Sequence, residues 1–99
     1  MLIFALVLVV SSVMVIHQIN ANQSNPVHVH PNCTEYLHVL SGSCEHRVGD
    51  RWLTLKAGDT LRIPQGVTHA ARTKDEPCRV VVTYNTGTRQ MVVVPEERK

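Results

Sequence analysis

At 99 residues, 43% hydrophobic and 18% charged, the chain reads as one globular domain near the lower size at which a single hydrophobic core suffices. Ten Lys and Arg against eight Asp and Glu, with no basic run and only Phe4, Tyr36, Trp52 and Tyr84 as aromatics, exclude the basic stripe and stacking platforms of a nucleic-acid binder. Cys33, Cys44 and Cys78 are odd in number and lack a C-x-x-C pair, which argues against a disulfide framework or a thiolate zinc site and for small buried side chains, Cys33 alone standing among candidate ligands.

The apolar opening, "MLIFALVLVVSSVMVI", suggests a signal peptide, yet it carries no Lys or Arg, and the best small-residue cleavage site, after Ala21, has the large Ile19 three positions before the cut. It is also short of the ~20 residues that a membrane-spanning helix needs. Val13 to Ile19 reads instead as a β-strand, rich in Val and Ile and closed by the turn-like "NANQSNP", so cleavage after Ala21 would remove a core strand. Residues 1–12 are set apart as an apolar segment: a further strand, a strand at an oligomer interface, a short signal ending near Ser11 and Ser12, or an artefact of the chosen start. The expected location is the cytoplasm, with secretion the alternative if residues 1–12 or 1–21 act as a signal; no membrane association is expected. The sequon-like "NQS" and "NCT" carry little weight, since such tripeptides are common by chance.

Further along, the candidate strands are Val27 to His30, Glu35 to Ser41, Cys44 to Val48, Arg51 to Leu55, Thr60 to Ile63, His69 to Thr73, Cys78 to Tyr84 and Arg89 to Val94. Gly-, Pro-, Asn- and Asp-rich separators divide them, and "VGDRW" is a two-residue hairpin signal. Many short strands at this spacing, without a convincing amphipathic helix, predict an all-β antiparallel sandwich or barrel over residues 13–94, followed by the charged tail 95–99.

The chemistry gathers at two stretches. On a strand, His28 and His30 share a face about 6.6 Å apart, close enough to converge on one metal. Pro31 and Asn32 favour a reversal that returns Glu35 beside the two rings. Then "GDTLRIPQGVTH" supplies Gly58, a Pro64-x-Gly66 turn and His69 as a third imidazole.

With both stretches in hand, the sequence resembles the cupin superfamily, whose first motif is G-x5-H-x-H-x3or4-E-x6-G and whose second is G-x5-P-x-G-x2-H-x3-N. His28, His30, Glu35 and Gly42 match the first, and Gly58, Pro64, Gly66 and His69 the second. There are two departures: Asn22 stands for the leading Gly, which a left-handed Asn can replace, and Thr73 stands for the closing Asn. The resemblance covers residues 13–94 and implies a small single-domain antiparallel β-barrel, a double-stranded β-helix or jelly roll. It implies that His28, His30, Glu35 and His69 hold one divalent transition metal, Fe, Mn, Ni, Co, Cu or Zn, and that Glu35 can double as a proton acceptor.

The resemblance further implies metal-dependent, dioxygenase-like oxidoreduction of a small organic molecule by a homodimer. The alternatives it leaves open are a non-catalytic sensor or receptor for sugars or small ligands, and a metal-dependent isomerase or decarboxylase. Outside the motifs, His38 is expected to be structural, because strand parity turns it away from Glu35; His46 and His17 are expected at the surface or an interface. Tyr36 and Trp52 are expected to pack, and Arg62, Arg72 and Arg79 to be exposed edge charges.

Overall fold

Runs rich in Val and Ile, bounded by turn residues, become antiparallel strands, as β-branched side chains favour a pleated surface. The computed structural model describes residues 13–95. Its elements are β1 (Val13–Ile19), β2 (His28–Val29), β3 (Glu35–Val48), β4 (Arg51–Lys56), β5 (Thr60–Ile63), β6 (His69–Arg72), β7 (Cys78–Tyr84) and β8 (Val92–Val93). Among the described residues there is no helix, hence none long and apolar enough to cross a membrane. The expectations for residues 1–12 and for tail residues 96–99 fall outside the described residues.

β3 is the spine. Its first half pairs with β7 and β5, and β1 lies beyond β7. Its second half pairs with β4 and β6, beyond which come β2 and β8. Two antiparallel sheets therefore share one strand and curl about it, the arrangement expected of a double-stranded β-helix.

That sharing corrects one expectation. "SGS" does not divide residues 35–48 into two strands; they form one 14-residue strand that bends. The register with β7 slips between Val39 and Ser41, and Gly42 follows at φ 75°. A Cβ on Gly42 would collide with the carbonyl oxygen of Pro77, so glycine is needed for close approach as well as for its dihedral. The Gly49-Asp50 turn does close a hairpin as expected, with Val48 opposite Arg51.

Strand parity builds the core. Glu35, Leu37 and Val39 point inward from β3, as do Cys78, Val80, Val82 and Tyr84 from β7. Each large apolar side chain buried here stabilises the fold by about 1.5–3 kcal/mol. Glu35 lies directly across from Tyr84, so the inward face of this sheet ends at the site described below. All three cysteines are buried, as expected, and burial with Cys78 alongside pushes the Cys44 thiol up to about 12.

Outward positions bring further corrections. Tyr36 and Trp52 do not pack inside; they are 42% and 41% exposed, because parity turns both to solvent. Arg72 is half-buried rather than a free edge charge: its guanidinium lies 3.8 Å from the Trp52 ring centroid and its Nε donates to Glu45 at 3.1 Å. Arg62 and Arg79 are exposed, and His38 faces away from Glu35 toward Thr60 Oγ1 at 2.8 Å.

The two departures from the motif pattern meet in space. Asn22 adopts φ 58°, the left-handed conformation its position requires, and its N–H donates to the Lys74 carbonyl at 2.7 Å. Thr73 is buried; its hydroxyl donates to the Asn20 carbonyl and accepts from the Gln23 N–H at 3.0 Å. Thr73 thus pins the turn that carries Asn22.

Candidate metal centre

Three imidazoles converge because the sheet registers demand it. His28 on β2 is the cross-strand partner of His69 on β6, and their ring centroids are 4.1 Å apart. His30, two residues on from His28, turns to the same side, 4.9 Å from His69 and 5.1 Å from His28 between ring centroids. The second motif is tied to the first: the Gly66 N–H donates to the His30 carbonyl at 3.0 Å, and the Gln65 amide to the Pro31 carbonyl at 2.8 Å. His69 is placed by that tie.

Every Nδ1 is committed to a backbone carbonyl. His28 donates to Pro26 at 2.7 Å, His30 to Gln90 at 2.7 Å and His69 to Val67 at 3.0 Å. A carbonyl only accepts, so each neutral ring carries its proton on Nδ1 and bares the Nε2 lone pair. The ligating nitrogens of His28, His30 and His69 lie within 4.8 Å of one another. Nε2 of His30 and of His69 is fully buried with no hydrogen-bond partner among the described residues. Such orphaned acceptors cost about 1–3 kcal/mol each, and a bound cation is the partner that their proximity and chemistry fit.

Glu35 flanks the group. Its Oε1 lies 3.2 Å from His30 Nε2 and 3.5 Å from His69 Nε2, and the side chain is buried. Burial works against its charge, but His69, His30 and His46 around it, when they carry a proton toward it, outweigh that and hold the carboxyl below the usual range. Burial likewise lowers His28, favouring the neutral form a metal ligand needs. Of the four side chains expected at a metal, the three histidines form the group that could hold an ion among the described residues, and Glu35 flanks two of them; three nitrogens with one carboxylate would suit a divalent transition metal. Cys33 is buried beside this group but outside the three-histidine cluster.

A cavity of about 250 Å³ opens on the centre. His28, Glu35, His46, His69 and Tyr84 line it, with His17, Gln18, Asn25, Arg89 and Met91 toward the outside. His46 corrects an expectation: it is buried at 3% exposure and not at the surface. The bend in β3 resets the inward parity so that Cys44 and His46 both face in, and His46 pairs with Ala71, two residues from His69. Burial lowers its pKa to about 4, and its Nδ1 lies 3.5 Å from Cys44 Sγ. The signal was present, since a buried Cys44 implies a buried residue two positions on.

Other contributors have weaker signals. Pro26 and Val67 each stand two residues before the histidine they hold, whereas Gln90 is 60 residues from His30 and is found only by tertiary structure. Tyr84 and Arg89 likewise reach the cavity through folding. His17 is exposed, as expected, at the cavity rim.

The family model for the cupin domain matches residues 15–84. Among solved structures, a protein with a double-stranded beta-helix domain from Klebsiella pneumoniae is 28% identical with a TM-score of 0.79, over 87% of this chain and 76% of that one. The DMSP lyase from Ruegeria pomeroyi is 28% identical with a TM-score of 0.79, over 89% and 46% of the two chains. The polyketide cyclase from Streptomyces resistomycificus is 26% identical with a TM-score of 0.77, over 87% and 62%. The chain therefore spans less than two thirds of the lyase and of the cyclase. Among curated proteins none matches it.

Proposed function

Because this chain belongs to the cupin domain family, we propose that it is a metal-dependent oxidoreductase of a small organic molecule, with His28, His30, His69 and Glu35 holding one divalent transition metal. The observation that carries the metal reading is the pair of buried Nε2 atoms on His30 and His69, left without hydrogen-bond partners among the described residues in a cluster whose ligand atoms lie within 4.8 Å of one another. When bound, a divalent ion supplies Lewis acidity and open positions for a ligand. The chain does the rest. Carbonyls of Pro26, Val67 and Gln90 fix the three rings, and Glu35, held ionised, can accept a proton from a ligand bound beside it. Residues of β1, β3 and β7 wall the cavity beside it.

A second reading, binding without turnover or a non-redox lyase or isomerase reaction, is supported by the lyase and the cyclase found on the same fold. A second copy of the chain is the proposed protein partner, for which β1, an edge strand among the described residues, offers exposed Met14 and Ile16.

Elemental analysis tests the metal: one equivalent in the wild type and a large loss in His69→Ala are expected, and a wild type without stoichiometric metal overturns the reading. Oxygen uptake by Fe(II)-, Mn(II)- and Ni(II)-loaded protein over enediols, diketones, phenols and thiols tests the reaction. Saturable binding without uptake selects the second reading. A monomer in sedimentation at micromolar concentration removes the proposed dimer.

A further inference from the structure

We infer that Arg89 is the anion-recognising residue of the cavity, and that the ligand is a small molecule with a carboxylate at the end remote from the histidine cluster. The inference rests on the metal reading for the near end of the ligand and on Arg89 itself for the far end.

Arg89 is the only Lys or Arg among the described residues that line the cavity. Its guanidinium is positioned but not neutralised: it lies 4.8 Å from the Tyr84 ring centroid, and its Nη1 donates to the Tyr84 hydroxyl at 3.5 Å. No carboxylate among the described residues pairs with it, so most of its five N–H donors remain available. Tyr84 is a fixed support, buried, across from Glu35 in the sheet register and edge-on to the His30 ring at 5.3 Å. Arg89 is thereby anchored to Tyr84 on β7, which lines the cavity together with His28 and His69.

Charge points the same way. Glu35 is the only acidic side chain lining the cavity among the described residues, so a divalent ion beside it leaves about one positive charge, and Arg89 adds another. A dianionic or singly anionic ligand complements that surplus. The volume, about 250 Å³, equals on the order of eight waters, which sets the size at a few carbons.

The test uses cobalt-loaded protein, whose visible spectrum reports ligands entering the metal sphere. Malonate, succinate and glutarate, and the monoamide of each, are titrated into wild type, Arg89→Gln and Arg89→Lys. At least one dicarboxylate is expected to bind wild type, at least about tenfold more weakly to Arg89→Gln at equal cobalt content, and with partial recovery in Arg89→Lys. Its monoamide is expected to bind wild type as weakly as the dicarboxylate binds Arg89→Gln. Equal dicarboxylate affinity in wild type and Arg89→Gln, equal affinity of diacid and monoamide, or no binding by any dicarboxylate overturns the inference. If wild type takes up no cobalt, the metal reading falls; the same titrations of apoprotein, followed by amide chemical shifts, then decide the role of Arg89 by the same comparisons.

Discussion

Asn32 and Gln90 are joined by a hydrogen bond from the Gln90 N–H to Asn32 Oδ1 at 2.9 Å, and the Gln90 carbonyl in turn accepts the Nδ1–H of His30. Asn32 also donates to the Thr88 carbonyl at 2.7 Å, so one side chain in the turn after the first two histidines grips the segment that orients one of them. Supports of this kind set metal affinity at a distance. Asn32→Ala is expected to weaken metal binding by about tenfold, read by competition with a chromophoric chelator. Unchanged affinity would show that His30 is oriented without this clasp.

Metal should also act on stability. The buried orphaned nitrogens of His30 and His69 destabilise the metal-free fold, and a cation that binds only the folded chain adds about 4 kcal/mol when present at a thousandfold its Kd. Thermal unfolding of wild type should therefore shift to lower temperature with chelator, whereas His69→Ala should respond little. Equal chelator sensitivity in the two proteins would sink the site assignment.

Gly42 and Gly58 both have positive φ, but only Gly42 faces backbone, the Pro77 carbonyl. Gly58→Ala meets open space and should cost about 1–2 kcal/mol for the left-handed conformation alone. Gly42→Ala must also push β7 away from β3, and a loss above about 4 kcal/mol is expected. Urea unfolding of the two variants side by side gives the comparison, and similar losses would mean that the bend tolerates a side chain.

Acid should weaken the metal-free protein before its carboxylates titrate. Burial lowers His46 to about 4 from its ordinary 6.5, so between those values the unfolded chain holds a proton that the folded chain refuses. Stability is then full above pH 6.5 and falls by up to about 1.4 kcal/mol per unit as pH drops. Lowered Glu35 adds its own loss only below its ordinary 4.5. Urea titrations at pH 7.5, 6 and 5 should show a shallower pH slope for His46→Gln than for wild type; parallel slopes would place the acid response elsewhere.

Local chemistry settled much of this protein. Alternating apolar residues and turn-forming separators gave the strands, because side-chain parity and permitted dihedrals are properties of neighbouring residues. Motif spacing named His28, His30, Glu35 and His69 as a group, and Asn22 proved able to take the left-handed place of a glycine. Tertiary structure alone decided that "SGS" bends one strand and does not end it, since Ser41 and Gly42 pair with distant Arg79 and Cys78, and Ser43 with Lys56. It also decided that Gln90 holds His30, that His46 joins the cavity, and that Tyr84 brings Arg89 to its rim. Sheet register brings together residues that no local period relates. The sequence therefore specified the candidate ligands, whereas their support and the charge at the cavity's outer edge came from pairing across the fold.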